Sequence, residues 1–259
     1  MTADVEHNES LTAALLPAFK RMTAGSSTGN RILDSVPQAE FGALRKLERV
    51  SLRFGQILYD AGGKIRYVYF PINCLVSLLT AVDKRRTLEV GMVGNEGMAG
   101  MPFILGMGVS GVRALVQGAG DSFRMPSAPF RTEFDRNAAL RRALFRYTYA
   151  LMAQISQTAA CNRFHGADAR LARWLLMTRD RVESDEFLLT HQFLAHMLGV
   201  RREGVTEAAS ALKQRKVIAY NRGKITILNL KKLQALSCPC YQTVRTVYLR
   251  ALATAGPLG

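Results

Sequence analysis

Leu189-Thr-His-Gln-Phe-Leu-Ala-His-Met-Leu-Gly-Val-Arg-Arg-Glu-Gly-Val-Thr-Glu-Ala-Ala-Ser-Ala-Leu212 reads as two short helices joined by a sharp corner. Thr190 is a good N-cap, because its hydroxyl accepts an orphan backbone N–H of the first turn. Leu194, Ala195 and Leu198 share the inner face of the first helix, and the small Ala195 lets a second helix cross close by. Gly199 suits the left-handed residue that ends a helix, and Val200 plugs the corner. A second helix starting at Arg201 or Arg202 buries Val205, Ala208 and Leu212. Its outward row is Arg201, Arg202, Glu203, Thr206, Glu207 and Ser210. A plain αα-hairpin shares some of these features, so the sequel matters. Residues 217–220 and 225–228 flank Asn221-Arg-Gly-Lys224 and read as a β-hairpin with a Gly-containing turn. A helix-turn-helix followed by such a hairpin is a winged helix, with Arg222 and Lys224 at the wing tip.

The charge agrees with that reading. The chain has 259 residues and a formal net charge of +15. Between Leu189 and the C-terminus, 11 Lys/Arg stand against 2 Asp/Glu. A basic surface of this kind points to an anionic partner, above all double-stranded DNA. Arg202 is long, early in its helix and outward-facing, so it can donate two bonds to guanine, and Glu203 can accept from cytosine N4. Arg201, Lys213, Arg222 and Lys224 are placed to meet phosphates, which position without specifying.

The remaining composition is that of a globular protein. A hydrophobic share of 48% excludes general disorder. No apolar run approaches the ~18 residues of a membrane-spanning helix, so no membrane partner is expected. The polar, acidic start at residues 1–10 is unlike a secretory signal. Four cysteines, at 74, 161, 238 and 240, are too few for a disulfide scaffold. A reduced cytoplasmic setting follows.

Working further outward, four parts are expected: a flexible extension over 1–30, a β-rich domain over 31–136, a long helix over 137–166, and the winged-helix domain over 167–259. The extension carries a short helix at 11–22, and 30–47 is a helical lead-in. Runs at 50–54, 57–59, 65–70, 74–82, 88–93, 112–117 and 122–125, separated by Gly, Pro and Asn, suit a barrel or roll. Residues 137–182 are helical, with Gly166 as the break. Leu144, Thr148, Leu151, Ile155, Thr158 and Asn162 follow a 4-3-4-3-4 spacing. That is the seam of a helix pair, here between two subunits. Trp174 is expected in the core.

Taken together, the chain resembles the cyclic-AMP receptor protein/FNR (Crp/Fnr) family of bacterial transcription regulators, over roughly residues 30–252. The resemblance rests on Phe54-Gly-Gln-Ile-Leu-Tyr-Asp-Ala-Gly-Gly63, on Ile65-Arg-Tyr-Val-Tyr-Phe-Pro71, on the long helix, and most specifically on Thr190-His-Gln with Gly199-Val-Arg-Arg-Glu-Gly-Val205. It implies an α+β protein: an N-terminal cyclic-nucleotide-binding-type β-roll, a long dimerisation helix and a C-terminal winged helix-turn-helix. It implies a homodimer on palindromic promoter DNA, with RNA polymerase as a further partner. Arg202 and Glu203 match the family's Arg-Glu pair at the start of the recognition helix.

Departures affect the effector. Relatives that bind cyclic nucleotide hold the ribose with a Gly-Glu pair and the cyclic phosphate with an Arg-Ser/Thr pair. Here Asn95 separates Gly94 from Glu96, and Ser110-Gly111 stands where the Arg pair belongs. Arg113, three residues later, faces the opposite side of an extended strand from Ser110. Ser156 lies on the long helix about where a relative contacts the base. Gly94, Glu96, Arg113 and Ser156 are therefore the candidate ligand residues for a nucleotide-like or other small effector, with cyclic AMP disfavoured. Glu207 replaces a basic reader of many relatives, so their half-site preference does not transfer.

Other chemistry is set aside. FNR-like relatives carry an iron–sulfur cluster on N-terminal cysteines, and no Cys precedes Cys74 here. Cys238-Pro-Cys240 offers only two ligands and reads as a helix boundary, with redox or metal sensing as the alternative, so no metal site is expected. His165 has no evident partner, and His191 and His196 read as surface or satisfied-core residues. Gly94 to Gly100 lacks the Lys-Ser/Thr of a P-loop. No nucleophile–base pair is suggested, so no catalytic residues and no enzyme activity are expected. Two other readings stay open: a regulator with a purely structural roll, and a cyclic-nucleotide-responsive signalling subunit.

Overall fold

The structure is a computed structural model describing residues 28–83, 86–182, 184–221 and 223–253. The expected helix at 11–22 and the wing-tip Arg222 lie outside the described residues.

Two antiparallel sheets make the roll. Strands β1 (Glu48–Leu52), β7 (Gly120–Pro126) and β3 (Tyr67–Pro71) form one, in that order. Strands β2 (Ile57–Tyr59), β6 (Arg113–Gly118), β4 (Leu75–Ala81) and β5 (Thr87–Val93) form the other. Every residue of β4 from Leu75 to Leu79 is buried. A one-sided sheet would alternate; here helices cover the outer face while Phe70, Val116 and Met125 fill the inside. The lead-in at 30–47 departs from the expected helix. One turn, α1 (Arg31–Asp34), is followed by 3-10 turns at Gln38–Glu40 and Gly42–Lys46. Pro37 interrupts it, since its ring removes a donor and disfavours helix for the preceding residue. Asn30 anchors the start: its Oδ1 accepts from the N–H of Ile32 and Leu33, and its Nδ2 donates to Pro71 O and Gly97 O.

After a short helix α2 (Met101–Ile104) between β5 and β6, the chain leaves β7 through helix α3 (Ser127–Arg136). Asn137 then caps α4 (Ala138–Phe164) by accepting from Leu140 N–H at 2.8 Å. At 27 residues, α4 is about 40 Å long. It lies close against the roll. Gln154 Nε2 donates to Met92 O at 3.1 Å, and a side chain at Gly97 would run into the Tyr147 ring. The break falls at Gly166, and α5 (Ala167–Val182) follows. Buried Trp174 on α5 donates to Glu89 Oε1 of β5 at 2.9 Å.

The stripe expected as a subunit seam is covered within the chain by the roll and α5. Leu144, Leu151 and Thr158 are buried within the protomer, and Thr148, Ile155 and Asn162 are half-buried. A neighbouring stripe of α4 is exposed: Phe145 51%, Tyr149 64% and Met152 63%, with Ser156 next in line. The outward stripe is thus offset by one residue, about 100° around the helix. The two stripes have the same spacing and similar polarity, so periodicity could not rank them.

The C-terminal part runs β8 (Glu186–Leu188), α6 (His191–Leu198), α7 (Arg202–Gln214), β9 (Ile218–Asn221), β10 (Lys224–Ile227), α8 (Leu230–Leu236) and α9 (Cys240–Leu252). The order β8-β10-β9 adds a third strand to the wing. Three residues with one buried side chain gave β8 no pattern to read. Helix α9 turns back along α4, where the Tyr248 and Tyr147 rings lie 6.3 Å apart.

Candidate nucleic-acid interface

The corner between α6 and α7 is built as its residues dictate. Thr190 Oγ1 accepts from Phe193 N–H at 3.1 Å. Gly199 closes α6 at φ 60°, a conformation that costs other residues strain. Leu194, Ala195 and Leu198 face Val205, Ala208 and Leu212 in the core. Arg201, Arg202, Glu203, Thr206, Glu207, Ser210 and Lys213 are all exposed. Arg201 precedes the helix in extended backbone and Arg202 opens it.

Thr206 is not a free reader. Its hydroxyl donates to Arg202 O at 3.0 Å and lies 2.9 Å from His191 Nδ1. The His191 ring stacks on Tyr220 with centroids 4.5 Å apart, and Tyr220 OH donates to Leu189 O at 3.2 Å. First helix, recognition helix and wing are thereby braced together. Partial burial, aided by the positive Arg202, holds the His191 pKa below its ordinary value. The imidazole is therefore neutral at physiological pH. A His at the first position of α6 and a Tyr on the hairpin are far apart in sequence, so no local pattern marks this brace. At the wing, Lys224 Nζ pairs with Glu186 at 2.7 Å while both stay half exposed. Among the described residues the outward face therefore presents Arg201, Arg202 and Lys213 as cations that no hydrogen bond or ion pair occupies.

The four candidate effector residues do not gather into one open site. Glu96 is buried and bound at 2.8 Å to the buried Arg181 of α5. Gly94 lies under the Arg181 side chain. Arg113 makes a two-pronged pair with Asp60 at 2.9 and 3.0 Å on the roll surface. Ser156 is exposed on the outer stripe of α4. A different space opens between roll and winged helix: a cleft of about 780 Å³ lined largely by apolar groups, including Phe54, Leu75, Phe187 and Phe193. Two buried polar atoms among its lining residues, Gln117 Nε2 and Thr178 Oγ1, have no hydrogen-bond partner among the described residues.

The return of α9 to α4 gives Cys238-Pro-Cys240 further neighbours of ligand type and gives His165 a partner in Cys240. Cys161, His165, Cys238 and Cys240 come together with all four ligand atoms within 4.8 Å of one another. Residues 77 apart in sequence meet here, which spacing alone cannot reveal.

The comparisons agree with this architecture. Residues 169–236 match the Crp-like helix-turn-helix domain. No curated protein matches the chain significantly. Among solved structures, FixK2 from Bradyrhizobium japonicum is similar at 16% identity and TM-score 0.63, covering 74% of this chain and 98% of its own. A transcriptional regulator of the CRP/FNR family from Thermus thermophilus is similar at 22% identity and TM-score 0.60, covering 73% and 98%. The c-di-GMP-responsive global regulator CLP from Xanthomonas campestris shares 16% identity at TM-score 0.56, covering 74% and 99%. Residues 169–236 are a Crp-like helix-turn-helix domain, set in a chain with the fold of the Crp/Fnr-family transcription regulators.

Proposed function

We propose that the protein is a homodimeric, sequence-specific DNA-binding transcription regulator whose α7 enters the major groove. The exposed row Arg201-Arg202-Glu203 on a braced helix-turn-helix carries this reading. Arg202 reads guanine and Glu203 accepts from cytosine. Arg201, Lys213 and Lys224 hold phosphates, Lys224 by exchanging Glu186 for the backbone. Arg222 is assigned to the same backbone contact from its place in the wing sequence. Thr206 positions the helix, and Glu207 and Ser210 face the groove. RNA polymerase is the partner addressed at the promoter. Arg202→Ala is expected to cost about 1–3 kcal/mol of DNA affinity and to relax preference at one base pair. Selection of sites from a random pool checks this; an unchanged motif, or no palindrome from wild type, refutes the assignment.

Two half-sites require two copies, and the outer stripe Phe145, Tyr149, Met152 is the surface offered. Tyr149→Glu with Met152→Glu is expected to give a folded monomer that no longer holds the palindrome. Sedimentation and circular dichroism measure both parts. A charged pair variant that stays dimeric places the interface elsewhere.

The roll is read as a sensor whose effector enters the interdomain cleft. Glu96 is occupied by Arg181, and Arg113 by Asp60, which leaves a cyclic phosphate without the Arg clamp that recognises it. The cleft instead offers largely apolar walls, and two of its lining residues, Gln117 and Thr178, carry unsatisfied buried polar atoms just behind them. Calorimetry is expected to show no micromolar binding of cyclic AMP; such binding would return the effector to the roll. Among its structural neighbours, CLP is described as c-di-GMP-responsive, so cyclic dinucleotides belong in the same titration.

A further inference from the structure

We propose that Cys161, His165, Cys238 and Cys240 form a closed Cys3His site for one zinc ion, which clamps the hinge between the long helix and the DNA-binding unit. Cys161 lies in the last turn of α4 and His165 caps that helix. Four residues apart, they share one helix face. Cys238 and Cys240 flank Pro239, which opens α9. Cys161 Sγ and Cys238 Sγ are 3.4 Å apart, and Cys240 Sγ and His165 Nδ1 are 3.5 Å apart. A disulfide would need about 2.05 Å. A tetrahedral zinc with ligands at about 2.0–2.3 Å holds its donor atoms roughly 3.3–3.8 Å apart. Iron–sulfur clusters spread their ligands over several irons and need a wider nest than four atoms within 4.8 Å. Soft thiolates with one imidazole are the donor set that selects zinc.

The surroundings supply a second, independent observation. Arg170 and Arg173 of α5 are buried. Arg173 hydrogen-bonds only to neutral groups, Thr158 Oγ1 at 3.4 Å and Met177 Sδ at 3.5 Å, and Arg170 donates to Leu198 O. The Nε of each has no partner, and among the described residues neither forms a salt bridge. Buried charges are normally compensated. Three thiolates, one neutral imidazole and Zn²⁺ carry a net charge of −1, which would offset part of the charge of these two guanidinium groups beside that of the buried Glu89 near Arg173. Gln157 Nε2 already donates to Cys240 Sγ at 3.0 Å, the outer-shell bond that orients a ligand.

The placement gives the ion a task. The chain passes from α4 into the winged helix only through Gly166, and it returns at Cys238. Zinc ties the departing and returning strands together, so the DNA-binding unit is held at both ends. All four positions are protein ligands, which marks a structural site rather than a catalytic one.

The test needs no DNA, so its outcome is separable from that of the DNA-binding reading. Full-length protein purified anaerobically with zinc is expected to contain one zinc per chain by elemental analysis. Cobalt exchange should give the intense visible bands of tetrahedral Co(II) and thiolate-to-cobalt charge transfer. Cys240→Ser should lose these bands. His165→Cys should keep them with stronger charge transfer, and Cys74→Ser, outside the cluster, should leave them unchanged. His165→Cys keeps the test sharp if Cys240→Ser folds poorly. Removing zinc with a chelator should raise proteolytic cleavage around Gly166 severalfold. The proposal is overturned by protein that takes up neither metal, by a Cys240→Ser variant with wild-type bands, by iron with acid-labile sulfide, by a Cys161–Cys238 disulfide as the main species, or by cleavage at Gly166 indifferent to zinc.

Discussion

Glu96→Gln is expected to destabilise the folded protein by about 3–5 kcal/mol, the cost of breaking a buried ion pair from one side. Glu96 and Arg181 are both buried and meet at 2.8 Å. Arg181 also donates to Met177 O at 2.9 Å and Gln154 Oε1 at 3.1 Å, and its guanidinium sits 5.4 Å from the Tyr248 ring centre. One side chain thus ties the roll, α4, α5 and α9 together. Glutamine keeps the shape but removes the only carboxylate paired with that cation among the described residues. The stranded charge sets the size of the loss, so the net worth of the pair is smaller. Replacing both partners, Glu96→Leu with Arg181→Met, should recover most of the stability, since a buried pair is often matched by apolar groups. Urea denaturation at constant slope measures both variants. A loss below about 1 kcal/mol for Glu96→Gln, or a double variant no better than the single, contradicts this account.

Much of the architecture was legible because local rules and tertiary contacts agree. Thr190, Gly199 and the apolar row Val205, Ala208, Leu212 each have one reading, and the chain folds to it. The strands of the roll fell near their expected limits because Gly and Pro punctuate them. What stayed hidden depended on which neighbour a face meets. The two stripes of α4 differ only in which one the roll covers, and that is a long-range fact. Glu96 fits a ligand role by motif position, yet Arg181, 85 residues later, claims its carboxylate. The Cys–His cluster was invisible for the same reason: its halves are a helix end and a loop, and only the return of α9 joins them. Sequence is silent where a polar side chain has two chemically sensible partners and topology chooses between them.

Glu89 provides the test of how the roll and the DNA-binding unit are coupled to pH. It is buried on β5, accepting from Trp174 Nε1 at 2.9 Å and from Ser77 Oγ at 2.6 Å. Burial pushes its pKa up from 4.5 to about 7, against the pull of those hydrogen bonds and the positive Arg173 and Arg181. The unfolded chain releases this proton near 4.5 and the folded protein near 7, so the folded state binds more protons in between. Stability therefore falls as pH rises through that window. It is greatest below the unfolded pKa and levels off above the folded one. A shift of this size corresponds to about 3 kcal/mol. Glu89→Gln retains an acceptor for Trp174 and cannot ionise. Relative to wild type, it is expected to gain about 3 kcal/mol between about pH 4 and pH 8. Subtracting the two proteins' urea stabilities at each pH cancels the other carboxylates, which titrate in both. A difference that stays flat across the window means that folding leaves the Glu89 pKa unchanged, and refutes the shift. A difference that grows with pH shows that ionising the buried Glu89 costs stability, burial outweighing the hydrogen bond it accepts from Trp174 of α5.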